Sequence, residues 1–199
     1  MPTGTMTTQI SLAGIIANSA CSRTDTGQIS HEVTLPAGNA GALSTRTDDD
    51  TGVATVAEGH GITDADTVNV FWADGCRYGM TVSAYTGTTV TMDGGSGDNF
   101  PTQDTVIVVA AQVTINTDFD GDDVQMIAAW SSLRAHIDFQ NDTPASLCAV
   151  ELTATEAWSW VYGQGFTNPL TGDPVDTILA SAGTAAETTL KIGVLYDSA

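Results

Sequence analysis

The chain has 199 residues, enough for one large domain or two small ones with a stable core. It carries 24 acidic residues against 5 Lys and Arg, which gives a formal net charge of -19. Because nucleic-acid binding depends on basic residues that replace counterions at phosphates, this charge excludes DNA and RNA as expected partners.

The cysteines and the N-terminal stretch predict a soluble, non-secreted protein. Cys21, Cys76 and Cys148 are far apart and odd in number, and no CxxC pair exists, which argues against a disulfide framework or a closed zinc site. No positive residue precedes Arg23 and the early apolar run is short, so we expect no secretory signal. No stretch is long enough to span a bilayer, and we expect no membrane partner.

Apolar residues that alternate with polar ones predict strands along most of the chain. The alternating sets are Ile10/Leu12, Ile29/His31/Val33/Leu35, Val68/Val70/Trp72, Met80/Val82/Ala84, Val113/Ile115, Ala135/Ile137/Phe139, Trp158/Trp160/Tyr162 and Leu190/Ile192/Val194/Tyr196. Helical spacing is tenable only at residues 122–133 and 180–187. The sequence therefore predicts an all-β protein with little helix.

Residues 43–111 are predicted to form an inserted small β-barrel. Asp74-Gly75 separates two strand-like runs and is typical of a two-residue hairpin turn. The run "DTVIVVAA" indicates a strand buried on both faces. With "GVATVA" in front, residues 51–111 give about five strands at hairpin spacing, the size of a five-stranded barrel.

The flanking residues, 1–42 and 112–199, are predicted to form a discontinuous β-sandwich of jelly-roll type. Residues 1–42 give about two strands and end in the loop "PAGNAGA", which is too little to bury a sheet face alone. Residues 112–199 give about six more strands, and together these suffice for two packed sheets. The competing layout is two consecutive domains.

The three histidines are each interpreted as structural. His60 lies between Gly59 and Gly61 with only Asp64 and Asp66 near in sequence, so a turn is favoured over a metal site. His31 is expected to be partly buried on the apolar face of its strand. His136 and Asp138 are expected to share the outer face of their strand as an unremarkable H-x-D pair.

Two acidic clusters could bind calcium, although a solvated turn is favoured at both. "DFDGDD" places Asp118, Asp120 and Asp122 around a glycine, but an EF-hand loop needs its glycine at the sixth position and a glutamate at the twelfth. Here Gly121 is fourth and the twelfth residue is Ala129. Residues 47–52, "TDDDTG", form the second cluster. Calcium held between subunits stays an alternative.

No motif for catalysis is found. The sequence contains no G-x-S-x-G elbow, no Walker loop and no dinucleotide fingerprint, and no Ser, His and Asp suggest a triad. We therefore expect no enzyme, and no catalytic, cofactor-binding or metal-binding residue is assigned.

Trp158, Trp160 and Tyr162 are predicted to share one side of a strand. Three roles stay open for them, as part of the sandwich core, as a subunit interface or as a platform on which a sugar stacks.

Residues 44–82, "STRTDDDTGVATVAEGHGITDADTVNVFWADGCRYGMTV", resemble β-rich virion proteins of tailed bacteriophages, in which a "GHG…D-x-V-x-V" turn and strand open a small barrel. The closing "TLKIGVLYDSA" is similar to the last strand of such proteins. The resemblance implies a capsid decoration or cement protein of the virion, assembled in the host cytoplasm.

Such a protein is expected to form a homo-oligomer, for example a trimer, and to bind the major capsid protein or other virion proteins. The first eight residues are then expected to act as an arm that grips a neighbour. A tail-tube, tail-tip or baseplate component is the structural alternative, and a carbohydrate-binding receptor module is the alternative of another class.

Overall fold

A computed structural model describes residues 9–12, 15–18, 26–96, 100–143, 145–154, 156–163, 165–170 and 174–197, and in this part of the chain all regular structure is β. The predicted arm, residues 1–8, and Cys21 lie outside the described residues. The strands are β1 (Gln9–Leu12), β2 (Ile15–Asn18), β3 (Thr26–Leu35), β4 (Asn39–Arg46), β5 (Thr51–Val56), β6 (Thr67–Trp72), β7 (Gly75–Tyr85), β8 (Thr89–Asp93), β9 (Val106–Ala111), β10 (Val113–Asp120), β11 (Val124–Ser131), β12 (Ala135–Gln140), β13 (Ser146–Leu152), β14 (Ala157–Val161), β15 (Pro174–Ala182) and β16 (Thr188–Asp197).

Both stretches with helical spacing are strands and turns instead. Residues 122–133 hold β11, and residues 180–187 hold the end of β15 and the turn after it. β11 is apolar on both faces because both are buried, and a continuous apolar run of this kind imitates helical spacing. Within the described ranges, no helix is long and apolar enough to cross a membrane.

Eight strands form a β-sandwich of two four-stranded sheets, ordered β10-β15-β12-β13 and β14-β11-β16-β3. Counted along the chain from β3 and then β10 to β16, these orders read 2-7-4-5 and 6-3-8-1, which is jelly-roll connectivity. The predicted fold class, an all-β sandwich with a barrel, is therefore confirmed.

The register of β11 explains how its sheet buries two faces. Ile127 is paired with Trp160 on β14 and with Val194 on β16, and all three side chains are buried. On the opposite face Met126 is paired with Leu195, and these two are buried in a second, smaller cluster with Ala128, Trp130 and Val161. The two-stranded sheet β1-β2 is separate from the other sheets, and β1 lies beside β11.

The barrel is closed and has six strands in the order β4-β5-β8-β7-β6-β9, one more than predicted. The additional strand is β4, which begins inside the stretch "PAGNAGA" that the sequence predicts to be a loop. Its small residues serve close packing, since a Cβ added at Gly41 would come within 2.1 Å of the Thr55 carbonyl oxygen on β5. The barrel interior is filled by an apolar cluster that includes Leu43, Val68, Met80, Val90, Met92 and Ile107.

The compact units divide the chain at other points than the predicted boundaries of 42/43 and 111/112. One unit comprises Met1–Thr34, Thr114–Leu179 and Thr189–Ala199, and the barrel unit comprises Leu35–Val113 with Ala180–Thr188. Residues 35–42 belong to the barrel unit because β4 is one of its walls. Residues 180–188 join it through the Gly38 amide, which donates to the Thr184 carbonyl at 2.9 Å, and through Asn69, which bonds Ser181.

The hairpin predicted at Asp74-Gly75 is present between β6 and β7, but its turn lies one residue earlier. Trp72 is paired with Gly75, so Ala73 and Asp74 are the two turn residues. Gly75 is needed for a different reason than a turn conformation. A Cβ at this position would approach the Trp72 indole to 2.7 Å, so the glycine gives the ring room to lie over the strand.

Candidate functional site

His60 ties two turns of the barrel together. Its Nδ1 accepts a hydrogen bond from the Ile62 amide at 3.0 Å, and its Nε2 lies 2.8 Å from the Thr86 carbonyl oxygen. Because a carbonyl only accepts, this geometry assigns the donor role to Nε2. Gly59 and Gly61 have φ of +79° and +71°, a backbone conformation that favours glycine and that folds the histidine back over its own turn.

The aspartates beside His60 serve the same turn and do not converge on the ring. Asp66 Oδ2 accepts from the Thr63 amide at 2.7 Å and from the Thr63 hydroxyl at 3.0 Å, which closes the turn before β6. Asp64 is exposed. The hydrogen bonds of Asp66 are therefore those of a turn, in agreement with the interpretation of this segment.

His136 and Asp138 lie on one face of β12, as predicted. The prediction that this face is an outer one is wrong, because both side chains are buried. His136 is 2% exposed and Asp138 is 8% exposed, while Ala135, Ile137 and Phe139 fill the other face. β12 is an inner strand of its sheet and is buried on both sides. Alternation alone reports the two faces of a strand and gives no information on what covers each.

The surroundings of His136 keep it neutral. Burial lowers the pKa of His136 from 6.5 to about 4, and the Asp138 and Glu151 carboxylates oppose that change. Asp138 is itself held by Ser146 at 2.5 Å and by Gln140 at 2.7 Å, and Glu151 is paired with Arg134 at 2.5 Å. The cluster is thus a hydrogen-bonded part of the sheet.

Of the two described cysteines, Cys76 donates to the Tyr78 hydroxyl at 2.6 Å and Cys148 is a free thiol. Burial raises the pKa of the Cys148 thiol, and the negative charge of Asp138 adds to the rise. A raised pKa keeps the thiol protonated at neutral pH, and a protonated thiol is a poor nucleophile and a poor metal ligand. Cys148 is therefore suited to packing more than to chemistry.

The acidic cluster at residues 47–52 is a turn whose three aspartates each have a partner within the barrel unit. Asp48 Oδ1 accepts from the amides of Asp50 and Thr51, and these hydrogen bonds lower the pKa of Asp48. Asp49 pairs with Arg46, and Asp50 pairs with Arg77 at 3.0 Å.

Arg77 also donates to the carbonyls of Gly94 at 3.0 Å and Ser96 at 2.7 Å. It therefore fastens the loop after β8 to the turn at residues 47–52.

The loop after β8 also borders an open cavity of about 360 Å³, lined by Gly79, Thr81, Ser83, Asp93, Gly94 and Gly95. Asp93 uses one carboxylate oxygen to accept from the Gly95 amide at 2.7 Å, so the cavity offers two hydroxyl groups and one remaining carboxylate oxygen.

The second acidic cluster forms the end of β10 and the turn into β11. Asp118 and Asp120 are exposed on alternate positions around the buried Phe119, and Asp120 Oδ1 accepts from the Asp122 amide at 2.9 Å. Over the described ranges, no three or more His, Cys, Asp or Glu residues are grouped so that they could hold a metal ion. The geometry is that of an aspartate-capped turn.

The aromatic residues Trp158, Trp160 and Tyr162 do not form one platform. Trp158 and Trp160 share a face of β14, and the pairing of Trp160 with the fully buried Ile127 places that face toward the sandwich core. Trp160 is 7% exposed, whereas Tyr162 lies beyond the strand end and is 67% exposed. Of the three, only Tyr162 is mostly exposed. Phe166, four residues further along the chain, is also exposed, and the sequence analysis did not identify it.

Comparison with solved structures adds a distant likeness. No family model matches the chain, and no curated protein matches it in sequence. Among solved structures, the chain is similar to one from the Gx strain of infectious bursal disease virus, with 9% identity and a TM-score of 0.23 over 87% of this chain and 72% of that one.

Proposed function

We propose that this chain is a non-enzymatic structural protein of a virus particle, most simply a decoration or cement protein that binds the outside of a bacteriophage head. The observation that carries the proposal is the jelly-roll connectivity of the eight sandwich strands. Jelly rolls of this kind build viral capsid proteins as well as lectins and cupins. The sequence resemblance of residues 44–82 and 189–199 to phage virion proteins favours the first of these classes.

The use that the fold makes of its reactive side chains supports a structural role. His60 joins two turns, His136 is buried and neutral, and Asp48, Asp66 and Asp120 cap turns. His60 and the three aspartates are engaged in hydrogen bonds within the fold and His136 is buried, whereas a catalytic group needs a substrate within hydrogen-bond reach.

A decoration protein acts by adding contacts across the junctions between shell subunits. Each contact must be broken before the shell can open, so bound protein raises the temperature at which the shell fails. With a net charge of -19, the chain is suited to partners that carry basic residues, and a homo-oligomer such as a trimer needs apolar contacts to offset the mutual repulsion of its subunits.

The direct test uses heads assembled without this chain. Purified protein should co-sediment with such heads, saturate at a fixed ratio to the shell subunit, and raise the temperature at which the packaged DNA is released. If the protein neither binds the heads nor changes that temperature, the decoration role is wrong. Detection of the chain in purified tails, and not in heads, would assign it instead to the tail tube, tail tip or baseplate.

A further inference from the structure

The connection after β14 presents two large apolar side chains to solvent. Tyr162 is 67% exposed and Phe166 is 74% exposed, and with Gly163 and Gly165 they make up what we term the aromatic loop. Side chains of this size lose apolar contact with water when they enter a pocket on a partner, and aromatic residues of this kind are enriched among the residues that dominate binding energy.

Both ends of the aromatic loop are hydrogen-bonded to the sheet. Gly163 and Gly165 both have φ of +82°, which side-chain-bearing residues rarely adopt. Its first end is fixed by the Tyr162 amide, which donates to the Gln125 carbonyl at 2.9 Å. Its second end is fixed by the Trp160 indole, which donates to the Phe166 carbonyl at 3.4 Å. Tyr162 and Phe166 are therefore each tied to a neighbouring strand.

An acidic turn lies beside the aromatic loop. Asn168, two residues after the loop, donates to the Gly121 carbonyl at 2.8 Å, and Gly121 is in the turn between β10 and β11. Asp120 directly precedes that glycine and Asp123 follows it two residues later, and both are exposed. The aromatic loop and the acidic turn therefore belong to one surface.

The acidic charge of this surface is not offset by the described cationic residues. The four described Lys and Arg residues pair with acidic residues elsewhere, as Arg46–Asp49, Arg77–Asp50, Arg134–Glu151 and Lys191–Glu32. Within the described ranges, neither Asp120 nor Asp123 forms an ion pair with a Lys or Arg. A partner with basic residues would find an apolar contact and a complementary charge in the same place.

We propose that the aromatic loop, with Asp120 and Asp123, is the surface that docks on the shell protein, and that it enters an apolar pocket rimmed by Lys or Arg. The inference rests on the proposed function. A second copy of this chain is a poorer occupant, because it would bring the same negative charge against Asp120 and Asp123. The aromatic rings then supply affinity, and the carboxylates supply the salt-dependent part of association.

The test measures binding to heads assembled without this chain, with three variants and a range of salt. Tyr162→Ser with Phe166→Ser should weaken binding at least tenfold, as expected for two central apolar contacts. Asp120→Asn with Asp123→Asn should weaken binding at low salt and flatten its dependence on ionic strength. Val106→Ser, which removes an exposed apolar residue of β9 in the barrel unit, is the matched control and should bind as wild type does.

The outcomes separate the two proposals. If wild type does not bind heads, both the decoration role and the docking surface are refuted. If wild type binds and the double aromatic variant, with an unchanged circular dichroism spectrum, binds equally well, the docking surface is wrong and the decoration role stands. If the aromatic variant changes only the mass of the protein in solution, the loop is an interface between copies of this chain, and the proposal is again overturned.

Discussion

Replacement of Asn69 by alanine tests whether a single buried amide holds the two parts of the barrel unit together. Asn69 is fully buried on β6. Its Nδ2 donates to the Ser181 hydroxyl at 2.8 Å, and its Oδ1 accepts from the Gly79 amide at 2.9 Å and from the Gln112 side-chain amide at 3.1 Å. The alanine variant removes all three hydrogen bonds at once.

The expected loss follows from the environment of the three partners. A hydrogen bond contributes about 0.5–1.5 kcal/mol net, and a polar group left buried costs about 1–3 kcal/mol. Ser181 is fully buried, whereas Gly79 is exposed and its amide can be hydrated. We therefore expect Asn69→Ala to lower the free energy of unfolding by about 2–4 kcal/mol, with the Ser181 hydrogen bond as the part that water cannot replace.

The assay combines urea unfolding with hydrogen exchange read by mass spectrometry. Exchange should accelerate in residues 180–188 and in the neighbouring barrel strands. A double-mutant cycle with Ser181→Ala should give a coupling of about 0.5–1.5 kcal/mol, and Asn116→Ala, at an exposed position of β10, is the control. A loss below about 0.5 kcal/mol, or unchanged exchange in residues 180–188, would refute the reasoning.

Three further predictions concern single residues. His60→Ala removes both ring hydrogen bonds and should lower the free energy of unfolding by about 1–3 kcal/mol, measured in urea; no change would contradict its role as a tie. His136 has a pKa lowered from 6.5 to about 4 in the folded state, so its neutral form supports stability fully above pH 6.5, and this support is lost as pH falls toward 4, by up to about 3 kcal/mol. His136→Gln should therefore flatten the profile of stability against pH, and parallel profiles would show that another group is responsible. Arg77→Met should cost about 2–3 kcal/mol because charged hydrogen bonds on a largely buried side chain are lost, whereas Arg46→Met, on a more exposed pair, should cost less than about 1 kcal/mol; equal shifts in melting temperature would argue against the difference.

Strand periodicity in the sequence was a good guide wherever one face of a strand is wet. In β10, Ile115 and Phe119 are buried, Thr117 is half-buried, and Asn116 and Asp118 are exposed, so the alternation is visible. For β11, where both faces are buried, the apolar run was compatible with helical spacing and the strand was not predicted. For β12 the alternation predicted the strand correctly, but it did not indicate that the His136 and Asp138 face is also buried. It also failed for β4, since close approach to β5 demands small residues and so makes a strand resemble a loop.

The candidate site was predictable in part for a related reason. The turn at His60 follows from two flanking glycines that are adjacent in sequence. By contrast, the partner of the His60 Nε2 atom, the Thr86 carbonyl, is 26 residues away, and Ser181 is 112 residues from Asn69. Such contacts depend on how distant strands are brought together, and no local pattern encodes them.

Because the barrel unit is assembled from two separated stretches of chain, its completion depends on the order in which a ribosome releases them. Residues 35–113 emerge first, and residues 180–188 follow only after most of the sandwich strands have been made. The hydrogen bond from Asn69 to Ser181 cannot form before that moment. Domains generally fold as units during synthesis, but a nascent chain that stops short of residue 180 lacks the last segment of the barrel unit, so this unit is complete only after most of the sandwich strands have been made.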